Sequence, residues 1–148
     1  MNGNYDMLKL DNQLCFPLYA ASREIIRRYR PFLEELELTY TQYIVMMVVW
    51  EMEKCSVKEI GERLYLDSGT LTPVLKSLEG KGYLRRYRSG EDERVLIAEI
   101  TEEGRRLRDR AANVPANIAK CVKLTGEEAT RLYVLLYKVI GRDVVNGG

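Results

Sequence analysis

Between Ser56 and Gly104 the residue pattern passes from helical spacing to β-prone runs and back to helix, and few folds accommodate that order. Ser56-Val57-Lys58-Glu59 is a capping-box pattern that opens a short helix with Ile60 and Leu64 inward. After the break at Tyr65 to Asp67, either Asp67 or Ser68 can cap a second helix, whose inward residues are Leu71, Leu75 and Leu78 and which ends at Gly82. Tyr83 to Arg88 and Val95 to Ile100 are β-prone around the polar turn Ser89 to Arg94, which predicts a two-stranded hairpin. Thr101 then caps a helix through Arg105, Leu107 and Ala111. Two short helices, a tight break and a hairpin make a winged helix-turn-helix pattern over about 56–101.

The flanks are helical. From about Asn12 to Leu36, apolar residues at Leu14, Leu18, Ile25, Tyr29, Phe32 and Leu36 step by four, seven, four, three and four, a helical stripe. Pro17 either bends the early turns of a helix starting near Asn12 or sits at the favoured first position of one starting near Phe16. Either way Cys15 lies at or near a helix N-terminus. Thr39-Tyr40-Thr41-Gln42 is a capping box for a second helix, apolar on nearly all sides and so central, with Cys55 in the loop that follows. Pro115 and Gly126 are candidate interruptions further on. Thr125-Gly126-Glu127-Glu128 caps a last helix with Ala129, Leu132, Leu136, Val139 and Ile140 on one face. The expectation is one mainly α domain over 1–148 with a small β-hairpin wing, and dimerisation helices over about 10–36 and 102–146. Apolar stripes at both ends predict a homodimer, which suits two half-sites on a palindromic duplex.

Composition removes several alternatives. The chain has no histidine, the commonest general base and metal ligand, so Ser-His-Asp and Cys-His catalysis are lost. Cys15, Cys55 and Cys121 are odd in number and far apart, which predicts free thiols, no metal site and no cofactor. No run of eighteen apolar residues and no signal-like start is found, so a cytoplasmic location is expected. The net charge of +1 is too small to announce nucleic acid. Locally, Lys76, Lys81, Arg85, Arg86 and Arg88 stand against Glu79 alone, five minus one giving +4 between positions 76 and 88.

Clustering of that kind, beside a recognition helix, points to double-stranded DNA. Ser68, Thr70 and Thr72 occupy the first turns of that helix, where hydroxyls and short side chains approach base edges. Lys76, one turn beyond Thr72, is placed for a phosphate, and Arg86 in the basic run is a further candidate for DNA binding. Arg94 at the hairpin tip can enter a narrow minor groove, with Asp92 bracing its guanidinium. Taken singly, the hydroxyls could merely cap the helix and Arg94 be a solvated charge; together they favour DNA.

Asp92-Glu93-Arg94, followed seven residues after the arginine by Thr101, resembles the D-x-R wing signature of the MarR family of winged-helix repressors, and the resemblance covers nearly the whole chain. D-S-G-T-L-T-P from Asp67 to Pro73 and L-C-F-P-L-Y-A-A-S-R from Leu14 to Arg23 resemble the branch of organic hydroperoxide resistance regulators. In general, a thiol attacks peroxide as thiolate, which a helix N-terminus and hydrogen-bond donors such as tyrosine favour. Tyr19 is one turn from Cys15. Tyr29 is fourteen residues away, roughly 21 Å along a straight helix, so the two can meet only across an antiparallel pair of subunits.

The resemblance implies such a pairing, with the reactive Cys15 held by Tyr29 and Tyr40 of the partner subunit. It implies oxidation of Cys15 by an organic hydroperoxide to a sulfenic acid and release of the operator, with Leu14, Phe16 and Leu18 helping to favour alkyl peroxides. Some relatives of this kind resolve the sulfenic acid with small thiols and others with a second cysteine near the end of the fifth helix, about where Cys121 lies. An alternative within the family is release by a phenolic or other small ligand held between the dimerisation helices and the winged unit, with Cys15 inert. A thiol peroxidase would leave the winged motif unexplained, and a protein-binding winged helix would tolerate charge reversal at Lys76 and Arg94.

Overall fold

Local capping chemistry sets most of the boundaries in the computed structural model, which describes residues 3–142. Two single 3₁₀ turns, Asp6–Leu8 and Leu10–Asn12, precede α1 (Cys15–Glu34), α2 (Tyr40–Met52), β1 (Lys54–Ser56), α3 (Val57–Leu64), α4 (Ser68–Gly80), β2 (Leu84–Arg88), β3 (Leu96–Ile100), α5 (Glu102–Ala111), α6 (Val114–Cys121) and α7 (Gly126–Ile140). Thr39 and Gln42 close a reciprocal capping box on α2, as Thr125 and Glu128 do on α7. Ser56 accepts the Glu59 N–H at 3.1 Å, Thr101 the Gly104 N–H at 3.0 Å and Asp67 the Thr70 N–H at 2.7 Å, so Asp67 rather than Ser68 caps α4.

Four expectations need correction. First, α1 begins at Cys15, between the two starts weighed above, and Pro17 is its third residue; the missing N–H there is one that a helix start leaves without an intrahelical partner anyway. It ends at Glu34, so Leu36 is buried in the turn beyond it and not on the helix. Second, α4 stops at Gly80, with Lys81 as C-cap and Gly82 at φ +84°, a left-handed conformation that glycine adopts without strain. Third, Cys55 is not in a loop. It sits in β1, opposite Ala98, where both side chains are buried. Fourth, and as a result, the expected hairpin forms as β2 and β3, but β1 adds a third antiparallel strand to it in the order β1-β3-β2. The register runs from Leu84 opposite Ile100 to Arg88 opposite Leu96. Positions 143–146 of the expected C-terminal helical region lie outside the described residues.

The core gathers around α2. Val45, Met46 and Val49 are fully enclosed, and Ile60 of α3, Leu71, Leu75 and Leu78 of α4, Leu84 of β2 and Leu107 of α5 are buried to the same degree. Each such side chain contributes about 1.5–3 kcal/mol by leaving water. Tertiary contacts divide the chain between Pro115 and Ala116 into two compact units, the boundary falling within α6. In the first unit α1 buries only Leu33 among its own residues. In the second, α7 buries none and exposes Leu132, Tyr133, Leu135, Val139 and Ile140.

Gly104 joins the first turn of α5 to the sheet. A Cβ there would stand 2.2 Å from the Tyr83 carbonyl oxygen and 2.8 Å from Ile100 Cγ1, while the Gly104 carbonyl accepts the Trp50 indole N–H at 2.9 Å. The nearest obstacle is backbone and cannot rotate away. Gly104→Ala is expected to destabilise the protein by about 1–3 kcal/mol, read as a lower urea midpoint; an unchanged midpoint would contradict this packing.

Candidate functional site

α4 is held by Leu71, Leu75 and Leu78, which leaves Ser68, Thr70, Thr72 and Lys76 on its exposed side. Thr72 Oγ1 donates to the Ser68 carbonyl at 2.7 Å, so its hydroxyl proton is already engaged within the helix. In the wing turn, Ser89 N–H donates to the Val95 carbonyl and Val95 N–H to the Asp92 carbonyl, at 2.8 and 3.0 Å. Asp92 grips Arg94 three ways, accepting its backbone N–H at 3.0 Å, Nε at 3.1 Å and Nη2 at 3.2 Å. That pairing holds the Asp92 carboxyl below the usual carboxylate range and leaves the Arg94 side chain 91% exposed. Ser68 and Thr72 share the lining of one open cleft of about 830 Å³ with Arg94, Tyr65 and Val95. Ser68 and Thr72 of α4 and Arg94 of the wing therefore face one cleft.

Arg86 is placed differently. Its side chain is 20% exposed and turned towards Glu79, with Nη2 3.3 Å from Oε1, while its backbone N–H donates to Glu79 Oε2 at 2.7 Å. Its neighbour Arg85 pairs across the sheet with Glu99, Nε to Oε2 at 2.7 Å. Much of the local +4 is thus consumed in ties between β2 and its neighbours.

At the other candidate site, Cys15 is the exposed first residue of α1, and Tyr19 one turn on is also exposed, with the Arg23 guanidinium 5.4 Å from its ring centroid. The two remaining tyrosines of the expected set come together away from it. Tyr29 of α1 and Tyr40 at the start of α2 have ring centroids 5.0 Å apart, and Tyr43, which the sequence reading passed over, lies 5.7 Å from Tyr29 and 6.3 Å from Tyr40. The three-residue spacing of Tyr40 and Tyr43 on one helix face was the available signal. Burial, with smaller contributions from Tyr40 and Tyr43, pushes the Tyr29 phenol up to about 12, and burial raises Tyr40 as well. Both are therefore neutral O–H donors at physiological pH. Cys121 is the last residue of α6, one helix beyond the fifth helix at whose end it was expected, and donates its thiol to the Asn117 carbonyl at 3.4 Å.

The model of the transcriptional regulator SarA/Rot family matches residues 27–111, more than half of the chain and the span from mid-α1 to the end of α5. The chain belongs to the SarA/Rot family of transcriptional regulators. It is a winged-helix, DNA-binding regulator of transcription and not an enzyme. It is 46% identical over 140 residues, 95% of each chain, to the organic hydroperoxide resistance transcriptional regulator of Bacillus subtilis. It is similar to AbfR of Staphylococcus epidermidis in its reduced form bound to DNA, with 33% identity, 92% of this chain and 94% of that chain covered, and a TM-score of 0.76. The regulator also shares its fold with a mutant MarR from E. coli in complex with operator DNA, at 22% identity over 94% of this chain and 99% of that one, with a TM-score of 0.75.

Among the regulator's thiols, Cys55 is the buried one. Burial pushes it up to about 11, with Glu59 adding to the rise. At pH 8 roughly one part in 10³ of such a thiol is ionised, so iodoacetamide is expected to modify Cys15 under native conditions and Cys55 only after denaturant is added. Peptide mapping by mass spectrometry reads both, and equal rates at the two positions would refute the assignment.

Proposed function

We propose that the regulator is a homodimeric repressor that binds a palindromic operator when Cys15 is reduced and releases it when an organic hydroperoxide oxidises that thiol. The observation that carries this reading is the Tyr29–Tyr40 pair: two half-buried phenols 5.0 Å apart, both held in the donor form, on a chain whose candidate sensor thiol is fourteen residues back along α1. Roughly 21 Å of helix separates Cys15 from Tyr29, so the sulfur these donors serve belongs to a second subunit whose first helix runs the other way. The exposed apolar residues Leu14, Phe16 and Leu18 of the α1 region, and Leu132, Leu135, Val139 and Ile140 of α7, supply the surface such a dimer would cover. Both units are then parts of one functional domain over 1–148, working in the cytoplasm.

In the reaction, the Cys15 sulfur attacks the terminal peroxide oxygen, the O–O bond breaks, and the alkoxide leaves as an alcohol after taking a proton; the sulfur is left as sulfenic acid. Tyr29 and Tyr40 of the partner subunit donate hydrogen bonds to the thiolate before attack, and Tyr19 flanks it on its own chain. Cys121 is the candidate for the second thiol that condenses with the sulfenic acid and expels water. The oxidised dimer holds its two α4 helices out of register with successive major grooves, and Ser68, Thr70, Thr72, Lys76 and Arg94 lose their simultaneous contacts.

The deciding measurement is binding of the fully reduced protein to the intergenic DNA upstream of its own gene, before and after an equivalent of cumene hydroperoxide, with Cys15→Ser in parallel. The expected result is specific binding lost on oxidation by the native protein and kept by the variant. Binding that ignores peroxide would instead favour release by a small ligand. A second expectation concerns the wing: Arg94→Ala weakens operator binding by about 1–3 kcal/mol, and Asp92→Ala by a smaller amount because the guanidinium is still present but no longer braced. Gel-shift titration at fixed salt checks both; unaltered affinity in Arg94→Ala would remove the wing from the interface.

A further inference from the structure

Gln42 is the buried polar side chain of the core among the described residues, 8% exposed, and both ends of its amide are engaged. Its Oε1 accepts the Thr39 N–H at 3.0 Å and stands 3.5 Å from Lys81 Nζ, while its Nε2 donates to Ser77 Oγ at 2.9 Å. Lys81 Nζ also donates to the Glu37 carbonyl, in a turn where Glu37 itself has φ +55°. Arg110 of α5 donates to the Glu35 carbonyl at 3.0 Å on the same turn. The turn between the two tyrosine-bearing helices is therefore tied to the C-terminal end of α4 by Lys81 and to α5 by Arg110.

The placement along each element gives these ties a direction. Tyr40 is the first residue of α2 and Gln42 the third, so the first turn that carries the phenol also carries the amide. Ser77 lies on α4 and Lys81 caps it, at the end opposite Ser68, Thr70 and Thr72. A shift of the first turn of α2 relative to α4 either drags α4 with it or breaks the Gln42–Ser77 bond and leaves a buried amide without its acceptor. Such a bond has two discrete states, made or broken, which is what a switch between two conformations needs.

We propose that Gln42, Ser77 and Lys81 form a latch that transmits the oxidation state sensed at Tyr40 to the recognition helix α4, with Gln42 as a positioning residue and not a contact to thiol or DNA. The inference rests on the reading of Cys15 as a peroxide sensor. The test compares the full-length native protein with Ser77→Ala and Ser77→Thr in three measurements: operator affinity when reduced, the rate of Cys15 sulfenic acid formation trapped with dimedone, and operator affinity after one equivalent of cumene hydroperoxide.

The native protein is expected to lose about 5–150-fold in affinity on oxidation, the usual range of coupling between two sites. Ser77→Ala binds within about twofold of native when reduced and forms sulfenic acid at the native rate, yet its oxidation-induced loss is smaller by about 2–30-fold. Ser77→Thr, which keeps the hydroxyl, restores the native loss. An undiminished loss in Ser77→Ala, or failure of its reduced form to bind, overturns the latch while leaving the sensor reading intact. Operator binding by the native protein that ignores peroxide overturns both.

Discussion

Burial of α2 is the interaction on which the first unit depends. Its Val45, Met46 and Val49 are fully enclosed, and α3, α4, β2 and α5 each direct an aliphatic side chain into the same core. A helix apolar on nearly every side has no stable place at a surface, so it must become the centre around which other elements are laid. Everything attached to its two ends is thereby placed as well. Its first turn carries Tyr40, Gln42 and Tyr43, and Trp50 near its other end packs 6.2 Å from Tyr43 and donates its indole N–H to the Gly104 carbonyl at the start of α5.

On the proposed reading, that arrangement accounts for a DNA-reading face on a chain with a net charge of only +1. Several arginines of the basic run are occupied in structure: Arg85 holds Glu99 across the sheet and Arg86 closes β2 on Glu79 of α4. Lys76 and Arg94, the charges proposed above to meet a duplex, are both exposed, and the Arg94 guanidinium is oriented by Asp92. A carboxylate beside the wing arginine looks wasteful for binding a polyanion, but a fork held in one orientation loses less entropy on entering a groove than a free one.

The proposed sensor separates its parts in a way that only symmetry can mend. One chain brings together the phenols and leaves its own exposed thiol far along the same helix. On that reading the dimer is a condition of sensing as well as of operator binding, because each pocket is completed by the other subunit. The exposed apolar residues on α1 and α7 are consistent with that requirement, since α7 buries none of its own residues and α1 only one.

Local rules made much of this legible in the sequence. The capping boxes at Thr39 and Thr125, the cap at Thr101, the leucine spacing of α4 and the Asp92–Arg94 brace all rest on contacts between residues two to four apart, and each is found as the pattern implied. What tertiary structure decided are pairings across long stretches of chain. Cys55 reads as a loop residue because three residues give no periodicity, yet β3 recruits them as a third strand through Ala98. Tyr43 joins Tyr29 only when α1 is laid beside α2, and Arg86 reads as a candidate DNA contact until the β2 turn returns it to Glu79. Gln42 announces itself as half of a capping box; that its other end would be held by Ser77, thirty-five positions later, follows only from how α4 crosses α2. Short-range hydrogen bonds are written in the order of residues, whereas contacts between distant segments exist only once the core has closed.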